Sequence, residues 1–181
     1  MSLDGVIEDP GGGQSRHAGW TFEFDFGEEG QKFKFDEVMS AEALLLGRVT
    51  YDEFASAWPT MEGTGEFGER MNGMPKYVVS STLENAEWEN STVLRGNPVD
   101  EVSKLKQNVA GNILVNGSAQ LVQNLVEHDL VDELRLMVFP VVLGLGKRLF
   151  GDTTDKKRLR LANSATVGDG VSILTFQRAV S

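Results

Sequence analysis

The sequence predicts an α/β fold with a mixed, mostly parallel central sheet, flanking helices and an antiparallel C-terminal end. Three observations carry that expectation. Short runs of strand-forming residues alternate with helix-spaced apolar positions through most of the chain, as in successive β-α-β units. The run Ala43-Leu-Leu-Leu46 is continuously apolar, the pattern of a parallel strand buried on both faces. The tail offers two strand-like segments, residues 159–164 and 171–176, around Gly168-Asp169-Gly170, as an antiparallel pair would.

In chain order, Met1-Ser-Leu-Asp-Gly-Val-Ile7 is too short an apolar stretch for a full strand. The segment from Glu8 through Gly11-Gly12-Gly13 to Gly19 reads as a mobile loop closed by Trp20. Residues 31–40 place Phe35, Val38 and Met39 on one helical face. The strand at 43–46 ends at Gly47, and Thr50 is positioned to cap a helix running to Trp58, with Pro59 beyond it. Residues 61–73, glycine-rich and acidic, are expected to be a surface excursion. Residues 76–80 and 91–94 read as strands, with Ser81-Thr82 a turn between them. Val99, Val102, Leu105 and Val109 recur at helical spacing before the strand Ile113-Leu-Val115. An amphipathic helix with Leu121, Val122, Leu125 and Val126 follows it. Residues 133–142 alternate imperfectly, as a long strand interrupted by Pro140. With no repeat and no linker, all 181 residues are expected to form a single domain.

Composition narrows the function. A content of 40% hydrophobic and 24% charged residues is that of a soluble globular protein. The formal net charge of −10 argues against a nucleic-acid or anionic-membrane partner. The absence of cysteine rules out disulfides, thiolate metal sites and a cysteine nucleophile. No apolar run approaches membrane-spanning length and no signal-peptide pattern opens the chain, so a cytoplasmic location is expected. His17 and His128 lack ligand spacing, so no metal site is expected. His128 stands near a helix end, where it complements the dipole.

Three strand ends carry the chemistry. In Ile113-Leu-Val-Asn-Gly-Ser-Ala-Gln-Leu121 a strand enters a helix through small residues, leaving backbone N–H donors at the positive end of the helix dipole. Gly117 lets an anion approach the backbone, and Ser118 can cap the helix or donate its hydroxyl. An ordinary strand–turn–helix with a good cap would have the same residues. In Leu46-Gly-Arg-Val-Thr-Tyr51, Arg48 offers a planar fork of donors and Thr50 a hydroxyl beside a helix start. An arginine paired with one of the chain's many carboxylates is the competing reading. Ser80-Ser81-Thr82 adds hydroxyls at the next strand end. Together the three suggest an extended, multiply phosphorylated ligand along the sheet edge. Gly63-Thr-Gly-Glu-Phe-Gly68 matches the dinucleotide fingerprint in letters only, since no strand precedes it and Glu62, Glu66 and Glu69 would repel a pyrophosphate. Ser118 lies in no nucleophile elbow. Glu28, Glu29, Asp36 and Glu37 are read as a solvated face.

Several short motifs resemble one family in order. They are Met1-Ser-Leu-Asp-Gly5, Leu45-Leu-Gly-Arg-Val-Thr-Tyr51 with Trp58-Pro59, and Lys76-Tyr-Val-Val-Ser-Ser-Thr-Leu83. Ile113-Leu-Val-Asn-Gly-Ser118, Val131-Asp-Glu-Leu134, Pro140-Val-Val-Leu-Gly144 and Leu149-Phe150 continue the series. The set is similar to the dihydrofolate reductase-like fold, in its riboflavin-biosynthesis reductase branch (the RibD C-terminal domain), over nearly the whole chain. The resemblance implies a central mixed sheet flanked by helices, NADPH as hydride donor, a small heterocyclic substrate and a homodimer. Carried over by position, Gly47, Arg48, Val49 and Thr50 would meet the cofactor phosphates. Ser80 and Ser81 would lie near the adenosine 2′-phosphate, and Asn116, Gly117, Ser118, Ala119, Gln120 and Leu121 would hold the pyrophosphate. Asp4, Trp20 and Phe35 would face the nicotinamide and substrate. No catalytic residue is assigned.

Three departures qualify that likeness. Gln31 stands roughly where folate reductases carry the acid that recognises the pterin, which argues against folate reduction. Asn116-Gly117 replaces the paired glycines of many relatives. The first strand is nearly absent. The expected function is therefore NADPH-dependent reduction of a small heterocycle, resembling the riboflavin-pathway 5-amino-6-(5-phosphoribosylamino)uracil reductase. A nucleotide-binding protein without catalysis, or an enzyme acting on a pterin, are the alternatives.

Overall fold

The chain divides into two units, one of residues 34–124 and the other of residues 1–33 with the C-terminal part from 125. A computed structural model describes residues 1–179.

The unit of residues 34–124 is organised around β1, Ala41–Gly47. Around it stand β2 (Lys76–Val79), β3 (Ser91–Leu94) and β4 (Asn112–Val115), all parallel, in the order β3-β2-β1-β4. Ala43, Leu44, Leu45 and Leu46 are all essentially fully buried, as a central parallel strand covered on both faces requires. Because strand side chains alternate between faces, Leu44 and Leu46 share one core with Val38, Tyr51, Met71, Met74, Val78 and Trp88. The helices are α1 (Gly27–Met39), α2 (Arg48–Ala57), α3 (Gly65–Gly73), α4 (Pro98–Asn108) and α5 (Ala119–Glu127). Helix α4 is capped by the Asn97 side chain, which accepts from the N–H groups of Val99 and Asp100.

Three expectations about this unit are corrected. Helix α2 starts at Arg48 with Gly47 as its N-cap, so Thr50 lies inside the first turn and caps nothing. It ends at Ala57, and Trp58–Thr60 continues as a 3-10 turn. Residues 61–73 are not a surface excursion only. Helix α3 forms there because Met71 has a core position to fill, and it is buried to 1% exposure. Phe67 packs against the same core, and the acidic and glycine residues around the two masked them.

Lys76, which opens β2, is fully buried. Its ammonium donates to the carbonyls of Asn72 (2.5 Å), Met74 (2.9 Å) and Glu89 (2.9 Å) and sits 4.4 Å over the Trp88 ring. All three of its donors are used, as a buried cation needs. Loss of water pushes the amine down to about 8, against a smaller opposing effect of Glu89.

The other unit holds an antiparallel sheet of β5 (Glu133–Val138), β6 (Leu159–Val167) and β7 (Val171–Arg178), in the order β5-β7-β6. The antiparallel end expected from the tail is thus a separate sheet, and the α/β class holds. Strand β5 stops before Pro140, which has no N–H to donate. Strand β6 runs past the predicted pair to Val167. The N-terminal segment makes only isolated bridges, Ser2 with Phe139 and Val6 with Arg148, in line with a nearly absent first strand. Phe139 centres this core, with Trp20 edge-on at 5.3 Å and Phe24 at 5.6 Å between ring centroids. Val171 and Ile173 of β7 complete it.

Candidate functional site

The carboxyl ends of β1 and β4 lie side by side, because Leu44 pairs with Leu114 and Leu45 with Val115. Beyond them the two turns touch. The Gly47 N–H donates to the Gly117 carbonyl at 3.1 Å. A Cβ on Gly47 would overlap Ser118 Oγ and stand 3.0 Å from the Ser118 backbone nitrogen. Gly47 has ordinary extended geometry, φ −76°, so glycine is required here by close approach and not by backbone conformation. Gly117 is required for both reasons. Its φ is +137°, and a Cβ would lie 2.8 Å from Thr50 Oγ1. The Gly117–Ser118 peptide is cis. Two segments read separately in the sequence are therefore one constellation: Gly47, Arg48 and Thr50 against Gly117 and Ser118.

What this arrangement offers is backbone donors. No side chain caps α2, so N–H groups of its first turn have no side-chain acceptor at the strand end. Asn116 and Gln120 are exposed, Ser118 is half-buried, and Gly117, Ala119 and Leu121 are buried beneath them. Ser118 contributes its carbonyl to α5, accepting from Val122 N–H at 3.0 Å. Val49 is exposed at 55%. Arg48 is paired with Asp52 at 2.6 Å, one turn along α2. Both side chains are well exposed, and such a pair contributes only about 0.3–0.5 kcal/mol. The competing reading of Arg48 as a carboxylate's partner is met in this structure, yet the pairing is weak enough for an anion to replace it.

At the end of β2, Ser80 is buried and its Oγ accepts from the N–H groups of Thr82 (3.2 Å) and Leu83 (3.0 Å). Its hydroxyl oxygen shapes the turn. Ser81 is exposed. Sequence reasoning passed over Arg95, the residue following β3. The Ser80 N–H donates to the Leu94 carbonyl at 3.2 Å, so Arg95 stands next to the Ser80-Ser81 turn, with its guanidinium donating to the Glu84 carbonyl. Applying the strand-end rule to β3 as well would have found it.

The remaining predicted residues are placed as follows. Phe35 is exposed at 36% and packs near Phe67, 6.5 Å between centroids. In the unit containing the N-terminus, Asp4 accepts from Ser2 Oγ (2.7 Å) and from the N–H groups of Leu143 (3.1 Å) and Gly144 (2.9 Å), with Arg148 at 3.4 Å. The Ser2 hydroxyl, then the Leu143 N–H, hold its carboxyl down at about 2. Trp20 is buried to 3% and its Nε1 donates to the Glu8 carbonyl at 3.0 Å. Of the helix carboxylates, Glu28, Glu29 and Asp36 are exposed, while Glu37 is buried and paired with Lys34 at 2.6 Å. Among the described residues no group of acidic and histidine side chains could hold a metal ion, and no helix is long and apolar enough to cross a membrane.

The fold is dihydrofolate reductase-like. Dihydrofolate reductase from Enterococcus faecalis, solved with NADP(H), shares the fold with a TM-score of 0.58 at 14% identity, over 99% of this chain and 93% of that one. The narrower placement comes from sequence. The profile of the RibD C-terminal domain matches residues 1–173, and the chain belongs to that family. YyaP of Bacillus subtilis (strain 168), an uncharacterized protein, is 31% identical over 97% of this chain and 90% of its own. A structure described as a riboflavin biosynthesis protein from Shewanella sp. PV-4 has a TM-score of 0.79 at 23% identity, covering 99% of this chain and 96% of that one.

Proposed function

We propose that the protein is an NADPH-dependent reductase of a small heterocyclic substrate, of the kind represented by 5-amino-6-(5-phosphoribosylamino)uracil reductase in riboflavin synthesis. The observation that carries this reading is the joining of the Gly47-Arg48 and Gly117-Ser118 turns at adjacent parallel strand ends. Two glycines lacking room for a Cβ, one uncapped helix start and one guanidinium make a cradle of donors suited to a pyrophosphate. Gly47, Arg48, Val49 and Thr50 would hold one side of it and the segment Asn116, Gly117, Ser118, Ala119, Gln120 and Leu121 the other. Ser81 and Arg95 would receive the 2′-phosphate, the Arg95 guanidinium being bonded to the Glu84 backbone carbonyl. Bound there, NADPH supplies the hydride. The chain's own part is to orient the carrier and exclude water.

A second reading, cofactor binding without catalysis, is favoured by one observation. Two of the residues expected on the substrate side, Asp4 and Trp20, already have internal partners for their polar groups. Titration of folded protein with NADPH and NADH tests the cofactor, with at least tenfold tighter NADPH binding expected. Equal or tighter NADH binding would refute the assignment. NADPH oxidation in the presence of aminopyrimidines or pterins then separates enzyme from binding protein.

A further inference from the structure

An asparagine followed by glycine exposes its side-chain amide to attack by the next backbone nitrogen, because glycine has no Cβ to shield that nitrogen. The chain contains two such pairs, Asn72-Gly73 and Asn116-Gly117, and its other asparagines each precede a residue with a side chain. The two pairs have opposite surroundings.

Asn72 is held at both ends of its amide. Its Nδ2 donates to the Trp58 carbonyl at 3.2 Å, and its Oδ1 accepts from Trp88 Nε1 at 2.8 Å. Gly73 is the last residue of α3, so the nitrogen following Asn72 lies in a helix, where N–H groups are spent on carbonyls one turn back. Asn116 differs on each count. It is exposed, and among the described residues no hydrogen bond or ion pair holds its amide. It stands after the last residue of β4 and before α5, in neither element.

We propose that Asn116 is a site of spontaneous deamidation, which places a carboxylate in the turn beside Gly117. The Gly117 nitrogen gives up its proton to water and bonds to Asn116 Cγ. The Cγ–Nδ2 bond breaks, ammonia leaves, and a five-membered succinimide is closed. Water then opens the ring at either carbonyl, giving aspartate or isoaspartate with no change of oxidation state. In the isoaspartate form the backbone runs through the former side chain and gains one methylene before Gly117.

The modification does not depend on the reductase reading, but its consequence rests on it, because there this turn holds the cofactor pyrophosphate. A carboxylate at position 116 repels the phosphate oxygens that neighbouring N–H donors attract. The added methylene acts through geometry, and Gly117 has no slack. Its carbonyl accepts from the Gly47 N–H at 3.1 Å, and a Cβ on it would lie 2.8 Å from Thr50 Oγ1. Both products therefore lower affinity for the cofactor. The turn ages in the free protein and is protected in the complex, where a phosphate seated on Gly117 keeps its nitrogen from swinging towards Cγ.

The test is peptide mapping by mass spectrometry on the full chain held at 37 °C and pH 8. NADPH is titrated on fresh and aged samples, with folding followed by circular dichroism. In folded protein Asn116 should gain the one-dalton mass of deamidation at least tenfold faster than Asn72. In concentrated urea the two should convert at similar rates. Saturating NADPH should slow Asn116 at least fivefold. Aged protein, and Asn116→Asp made directly, should bind NADPH at least tenfold more weakly than fresh wild type. Asn116→Gly, with no amide to lose, should hold its own starting affinity through the same incubation. Folded Asn116 converting no faster than Asn72 would overturn the modification site, and conversion that leaves NADPH affinity intact would overturn its consequence. Fresh protein that binds no NADPH would refute the reductase reading and the consequence with it, while the ratio of Asn116 to Asn72 conversion would still decide the modification.

Discussion

The contact between Gly47 and Ser118 can be measured by a double-mutant cycle. Gly47→Ala meets no conformational objection, because φ −76°, ψ 160° is ordinary for alanine. The whole cost comes from Ser118: the new methyl overlaps Oγ and stands 3.1 Å from Cβ and 3.0 Å from the backbone nitrogen. Overpacking of this kind costs about 1–3 kcal/mol, and a backbone atom cannot rotate out of the way. A loss of about 2 kcal/mol is therefore expected in urea unfolding, or about 4–8 °C in Tm for a chain of this size. Ser118→Gly removes Oγ and Cβ and leaves the nitrogen as the one close atom. In that background Gly47→Ala should cost at least about 1 kcal/mol less, a coupling within the range for residues in contact. NADPH affinity, titrated on protein shown to be folded, should fall at least tenfold in Gly47→Ala and recover partly in the double variant. Additive stability losses would show that the two turns are not in contact, and the argument for a joint phosphate cradle would fall with them.

The remaining predictions concern other parts of the chain. Gly117→Val puts a β-branched side chain at φ +137° against Thr50, and should weaken NADPH binding tenfold or more, about 1.4 kcal/mol; Ser118→Ala should do less, by the same titration. Lys76→Met leaves the carbonyls of Asn72, Met74 and Glu89 without their donor and should destabilise by about 2–4 kcal/mol at pH 7 in chemical unfolding. The folded Lys76 amine titrates near 8 and the unfolded one near 10.5, so between those values the unfolded state binds the extra proton and stability rises with pH. Wild type should gain on Lys76→Met across that window, and a constant difference would refute the lowered amine. The folded Asp4 carboxyl lies near 2 against an ordinary 3.8, so its contribution is complete above 3.8 and is lost as pH falls towards 2. Asp4→Asn should flatten that part of an acid-unfolding profile.

The parts of the fold that were legible in the sequence are those where a local pattern and a tertiary environment say the same thing. Ala43-Leu-Leu-Leu46 reads as a strand buried on both faces, and it is the centre of the parallel sheet. Val102 and Leu105 mark α4 by spacing, and both are buried. Helix α3 was hidden because four of its nine residues are glycine or glutamate before Arg70, and its anchoring depends on Met71 finding a core supplied by other elements. Lys76 was hidden for a related reason. A lysine at a strand start normally signals water, and only the folded positions of three carbonyls and the Trp88 ring make it a buried residue. The split into a parallel and an antiparallel sheet could not be read either, since strand periodicity is local and sheet membership is not. At the site, each turn could be recognised from its small residues. Their contact could not, because it depends on the register of β1 against β4.

Net charge and local charge lead to different conclusions in this chain, and the local arrangement decides. An excess of ten negative charges suggests a poor receptor for an anion. Yet exposed charges are largely screened beyond about 8–10 Å at ordinary ionic strength. At the sheet edge the groups within reach of a ligand are backbone N–H donors, Arg48 held only by an exposed pair, and Arg95 held by a carbonyl. A phosphate replacing Asp52 on Arg48 exchanges a contact of about half a kcal/mol for a charge-assisted, two-pronged one backed by a helix start. Salt should therefore weaken NADPH binding while leaving the buried Lys76 anchor nearly untouched, because its partners are carbonyl dipoles and an aromatic face shielded from ions. A stability loss in high salt that disappears in Lys76→Met would contradict that separation.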